Sequence, residues 1–233
     1  ECVEAGAVEL ILQAMGAYVD SVPVQLAGTT ALGRMALGEA SNRQAMKEAE
    51  AHAAIISGME THLEALGLQE AGCLALRNLS LGAAALQLEI VAAGGAASVV
   101  AALAAHRDAP RLQQEGCAAL SNMCGADATC QTAVLAAGGA EAVVAAMLAH
   151  HRAEKVLAQG CGALGNMAGG DASGQQAVIA AGGAAAVISA MRTHPSVDAV
   201  AQGGRAALSN MVWEDDALRQ QVLAEGAEVE WLD

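Results

Sequence analysis

The sequence predicts an all-α protein built as a solenoid of about five repeats. Composition and one fixed register carry this reading. Of the 233 residues, 55% are hydrophobic, mostly Ala with Leu, Val, Ile and Met; Phe is absent, and the only aromatics are Tyr18, Trp213 and Trp231. Such a chain is rich in strong helix formers and poor in the residues that favour strands. The register is 44 residues: Asn78, Asn122, Asn166 and Asn210 keep it, as do Gly28, Gly72, Gly116, Gly160 and Gly204, and His62, His106, His150 and His194. A fourth series is Gly6, Gly94, Gly138, Gly182 and Gly226, with Glu50 in the vacant place.

The unit 127–170 can be read helix by helix. Asp127 is a helix N-cap, and a first helix runs from it to about Ala137 with Val134 and Leu135 on its apolar side. Gly138-Gly139 ends that helix through a left-handed residue. A second helix, Ala140 to about His150, carries Val143, Val144 and Met147. After a polar turn, a third helix from about Lys155 to Ala168 buries Leu157, Cys161, Leu164 and Met167 at three- and four-residue spacing. Asp171 and Asp215 cap the following units. The units run approximately 1–38, 39–82, 83–126, 127–170, 171–214 and 215–233, the last partial. Third helices should begin near 22, 66, 110, 154 and 196, with Pro23, Pro110 and Pro195 at their starts, where proline is tolerated. One unit cannot bury its apolar faces alone; stacking on its neighbours buries them.

These residues resemble the armadillo repeat family: a short first helix, a Gly break, a second helix, and a longer third helix ending in Ala-Leu-x-Asn-Met/Leu. The signature stands as 75–79, 119–123, 163–167 and 207–211. The resemblance implies a right-handed superhelix, with the third helices lining a concave groove. HEAT repeats, the near alternative, have two helices per unit and lack the Asn series. Glu1-Cys2-Val3 falls in the last turn of a first helix and Trp231-Leu232-Asp233 inside a second, with Trp231 in the core slot of Val143 and Val187. The array is therefore expected to continue beyond this chain, or to be covered at its ends.

The formal net charge is −14, which repels phosphate backbones and argues against a nucleic-acid partner. Cys73, Cys117 and Cys161 repeat one packing position, so the cysteines are not a secreted disulfide framework, and an intracellular, cytoplasmic setting is expected. Cys124 and Cys130 flank a turn closely enough to pair. The apolar run from Leu88 to Ala105 is broken at Gly94-Gly95, so direct membrane insertion is not expected.

Several motifs lose their chemistry in this setting. Gly160 to Gly165 spells G-x-G-x-x-G, but inside a helix that no strand precedes, so it reads as close packing. The histidines sit at the ends of second helices, where imidazole suits the terminal carbonyls; neighbouring repeats stand too far apart to converge on zinc. Asn78-Leu79-Ser80 is a glycosylation sequon at a helix end rather than in an open loop. No catalytic set or cofactor motif converges, so no enzyme activity, metal or cofactor is expected.

The asparagines carry the functional expectation. In the armadillo family this Asn hydrogen-bonds the backbone of an extended peptide, which the resemblance carries to Asn78, Asn122, Asn166 and Asn210. An amide suits the role because it donates and accepts. The alternative is that each Asn ties its own helix end or the next repeat. Nuclear-import members place Trp four residues before the Asn; here Leu74, Ala118, Gly162 and Ala206 stand there, and Arg34 replaces the first Asn. Lys-gripping pockets are therefore missing from those places, which weighs against an import-type cargo adaptor. Arg34, Arg77 and Arg205 complete the expected groove. The expected role is a non-catalytic scaffold for a partner protein or extended peptide. The alternative is a structural subunit of a larger complex, touched at its ends, convex face and loops.

Overall fold

A computed structural model describes residues 6–125 and 127–232. Fifteen helices and one short 3-10 turn make up the described residues, and no strand occurs among them. In chain order they are α1 (Gly6–Ala17) and α2 (Val22–Ala36); α3 (Ala40–Glu48), α4 (Ala51–Thr61) and α5 (Leu66–Leu79); α6 (Ala84–Ala92), α7 (Gly95–Ala105) and α8 (Pro110–Met123); α9 (Ala128–Ala136), α10 (Gly139–Ala149) and α11 (Glu154–Ala168); α12 (Ala172–Ala180), α13 (Gly183–Thr193) and α14 (Asp198–Met211); and α15 (Asp216–Ala224). The repeats break after α2, α5, α8, α11 and α14. The third helices α2, α5, α8, α11 and α14 stack in succession and make the most extensive interfaces in the molecule.

Local chemistry sets the boundaries. Asp127, Asp171 and Asp215 each accept the N-terminal amide three residues on, from Cys130, Gly174 and Leu218, at 2.9 Å. Each carboxylate thereby satisfies a helix donor that would otherwise be orphaned. First and second helices meet at the Gly-Gly pairs, bent by 65–66°. The two glycines of a pair serve different needs. Gly94, Gly138 and Gly182 hold φ of +82 to +86°, where a side chain is penalised. Their neighbours Gly95, Gly139 and Gly183 have ordinary backbone but no room: a Cβ there would lie 2.7–2.8 Å from the carbonyl oxygens of Ile90, Val134 and Val178. These bends leave no single helix, among the described residues, long and apolar enough to cross a membrane.

The third-helix glycines are sockets. A Cβ on Gly28, Gly116, Gly160 or Gly204 would fall within 2.6 Å of Met15, Leu103, Met147 or Met191, and one on Gly72 would collide with Met59. Each second helix thus drives one long side chain into the next helix of its own repeat. Cys73, Cys117 and Cys161, all fully buried, fill gaps between successive third helices within one continuous core. Gly160 and Gly165 of the G-x-G-x-x-G run lie inside α11, where Gly160 receives Met147 and a Cβ on Gly165 would stand 3.1 Å from the Ala207 Cα.

Two expectations need correction and one lies out of reach. The fifth third helix begins at Asp198, two residues late, and Pro195 sits in the turn before it rather than at its start. Trp231 is not in a second helix: Val229–Trp231 is a 3-10 turn, the indole is only half-buried, and Leu232 takes the buried place. The stretch around Val3 falls outside the described residues.

Candidate site along the third helices

The asparagine series forms a ladder between repeats. Asn78 Nδ2 donates to the Gly33 carbonyl at 2.9 Å, Asn122 to Arg77 at 2.9 Å, Asn166 to Ser121 at 3.2 Å and Asn210 to Gly165 at 3.0 Å. Every rung reaches back 45 residues to the preceding third helix. The backbone at the Asn positions is held from the other side: Gln87, Gln131 and Gln175 on the first helices donate to the carbonyls of Asn122, Asn166 and Asn210 at 2.9–3.0 Å. Asn78, Asn122 and Asn210 each have one amide hydrogen spent, Asn166 Nδ2 also meets the Ser121 hydroxyl at 3.0 Å, and among the described residues nothing donates to any of the four Oδ1 atoms. Asn166 is exposed, Asn122 and Asn210 are half-buried, and Asn78 is buried. Burial of Asn78 and its neighbour Ser80, whose hydroxyl donates to the Leu76 carbonyl, leaves the sequon at 78–80 closed.

The three arginines expected beside this ladder do not come together. Arg34 is exposed in the Asn slot of the first repeat. Arg77 is engaged: its Nη1 lies 2.7 Å from Glu115 Oε2 on α8, and that carboxylate is largely buried. Arg205 takes the slot that Thr29, Cys73, Cys117 and Cys161 fill in the core, and is exposed on α14. At the places four residues before each Asn, Leu74, Ala118, Gly162 and Ala206 leave the wall smooth, and a Cβ on Gly162 would meet only the Ser121 hydroxyl, at 3.9 Å.

The histidines do something other than expected. His62, His106, His150 and His194 do not satisfy the carbonyls of their own helices. Each brings Nε2 to 2.7–2.9 Å from a carbonyl of the preceding repeat, that of Val19, Leu63, Arg107 and His151. A carbonyl only accepts, so Nε2 carries the hydrogen. A buried glutamine series completes the scheme: Gln25, Gln69 and Gln113 each donate to two carbonyls at the end of the second helix, those of Met15 and Tyr18, Met59 and His62, and Leu103 and His106. Both glutamine series keep the 44-residue register and were visible in the sequence on that ground alone.

No three His, Cys, Asp or Glu side chains converge among the described residues. Cys124 and Cys130 are both free and buried. Burial pushes the thiols of Cys117, Cys124 and Cys161 up to about 12 and Cys73 higher, far from nucleophilic thiolate.

One recess stands apart from the smooth wall. Between the ends of α11 and α14 lies a cavity of about 670 Å³ bordered by Gly169, Gly170, Asp171, Gln175, Asn210, Trp213, Glu214 and Asp215. Trp213 is 64% exposed.

The geometry agrees with known proteins. Residues 3–231 match the family model described as LRRK2 ARM repeat. No curated protein sequence matches the chain. Among solved structures, an engineered protein superposes with a TM-score of 0.84 at 24% identity, over 97% of this chain and 88% of the other. A designed armadillo repeat protein gives 0.82 at 17%, over 94% and 88%. Another, solved in complex with the peptide (KR)4, gives 0.82 at 17%, over 95% and 88%. At such identities the likeness is one of fold. With the family model spanning nearly the whole chain, and with the three-helix unit and its ladders in place, this chain belongs to the LRRK2 ARM repeat family.

Proposed function

We propose that this chain is a non-catalytic scaffold that holds an extended segment of a partner protein along the wall of third helices. The observation that carries the reading is the outward half of the asparagine ladder. Asn122, Asn166 and Asn210 stand one per repeat on partly open positions beside a wall of small side chains, each with an uncommitted Oδ1, and Asn122 and Asn210 keep one amide hydrogen. Helices packed about 8–10 Å apart offer one such amide for every two to three residues of extended peptide. The designed armadillo repeat protein solved with (KR)4, which shares this fold, supports a peptide as the kind of ligand. Buried, unpaired thiols support an intracellular, reducing setting.

The same ladder supports a second reading, a structural subunit of a larger complex, because every Asn already ties one repeat to the last. Peptide selection on the purified chain separates the two. A selected peptide should lose roughly tenfold or more in affinity when Asn122 and Asn166 are both changed to Ala. An unchanged dissociation constant in a variant that melts earlier leaves only the structural reading.

A further inference from the structure

We propose that the recess around Trp213 is a subsite for one basic side chain, Lys or Arg, of the partner segment; this rests on the scaffold reading above. The repeat gives no packing reason for an indole here. Its slot holds Leu37, Leu81, Gly125 and Gly169 in the other repeats, and the ring is 64% exposed. An exposed indole face attracts a cation through its quadrupole.

The rest of the border has matching charge. Asp171, Glu214 and Asp215 supply three carboxylates, and the residues lining the recess include no cation. Asp171 and Asp215 each spend Oδ1 on a helix amide, and Asp171 also accepts the Ser173 hydroxyl at 2.7 Å. Those bonds hold the Asp171 carboxyl below its ordinary range, so it is ionised at neutral pH. The recess is held in shape from beneath. Buried Gln175 donates to the carbonyls of both Asn210 and Trp213 at 3.0 Å, fixing the backbone that presents the ring. Asn210 adds a neutral amide to the border. An ammonium or guanidinium fits this combination of ring, carboxylates and amide; an acidic or apolar side chain leaves the carboxylates uncompensated. The placement differs from a Trp four residues ahead of the Asn on the open wall: Trp213 follows Asn210 by three residues, at the rim where α14 ends.

The test uses the full chain with Trp231→Phe, which leaves Trp213 as the sole indole. Titration with the peptide (KR)4 should change its emission saturably, and the peptide (ED)4 should not. By calorimetry, Trp213→Gly, the residue of the two preceding repeats, and Glu214→Gln should each weaken (KR)4 about fivefold or more. Trp213→Leu, the residue of the first two full third-helix ends, keeps bulk without the ring's charge distribution and should weaken it nearly as much. Absent binding, or equal affinity in the Trp213→Gly chain, overturns the subsite. If Trp213→Gly loses affinity and Asn122→Ala with Asn166→Ala does not, the subsite stands while the groove reading falls. The opposite pattern removes the subsite alone.

Discussion

Asn166 clasps Ser121 twice: its Nδ2 lies 3.2 Å from the serine carbonyl and 3.0 Å from the serine hydroxyl, across the interface of α8 and α11. The other asparagines make one such bond each. Asn166→Ala should lower stability by about 1 kcal/mol, discounted by its exposure, and Ser121→Ala by less. Denaturant melts of both single variants and the double variant should give a coupling energy of about 0.5 kcal/mol or more. Strict additivity would mean that the hydroxyl contact contributes nothing.

Glu50, at φ +52°, stands in a slot that holds glycine at five other positions, four of them left-handed. A left-handed backbone costs a side chain about 1–2 kcal/mol. Glu50→Gly should therefore stabilise the chain, by about 1 kcal/mol after the extra unfolded-state freedom of glycine is counted. The reciprocal change, Gly138→Ala, should destabilise by a similar amount. Thermal melts of the two variants against the parent check both signs.

Thr29 is fully buried and its hydroxyl has no hydrogen-bond partner. The corresponding residues are Cys73, Cys117 and Cys161, which ask for no such bond. An unmet buried hydroxyl costs about 1–3 kcal/mol. Thr29→Val, nearly equal in shape, should raise the denaturant midpoint with no change in its slope, a gain of about 1 kcal/mol.

His52 is buried in α4 with Nδ1 unpartnered, in the slot of Ala96, Ala140 and Ala184. Burial lowers its pKa, with Glu89 and Glu50 opposing. The folded chain then binds fewer protons than the unfolded one just below the ordinary histidine pKa. Stability should be fully present above about pH 6.5 and fall as the solution is acidified below it. His52→Ala should remove that part of the slope while folding normally, as its three counterparts do. Melts from pH 7.5 to 5.5 read the difference.

How far the sequence could be read depended on the range of each interaction. Asp127, Asp171 and Asp215 act within one helical turn, and Gly138-Gly139 acts within one junction, so caps and breaks stood open to inspection. The repeated spacing of the asparagines located the ladder but not its partners, because Gly33 and Arg77 are reached across 45 residues and through folded geometry. The partner of Arg77 is Glu115, 38 residues on, a contact that only the stacked helices create. Helix-end chemistry alone points each histidine to its own helix, whereas its acceptor lies 43 residues back. Trp213 follows Asn210 by three residues, outside the place four residues ahead of the Asn where the resemblance puts a tryptophan.

The two ladders between repeats span fixed counts of residues, 43 for the histidines and 45 for the asparagines, and the first-helix glutamines bridge 35 residues within one unit. A fixed count makes whole units interchangeable as cassettes. Cutting out 127–170 would bring His194 to the carbonyl of Arg107 and Asn210 to that of Ser121, the same partners by slot under new names, while Gln87 would keep the carbonyl of Asn122. Gly204 would keep Met191, since that socket closes inside one unit. Loss or duplication of 44 residues thus preserves the bonding rule and changes only length, whereas loss of a single residue in a third helix would throw every later slot out of step.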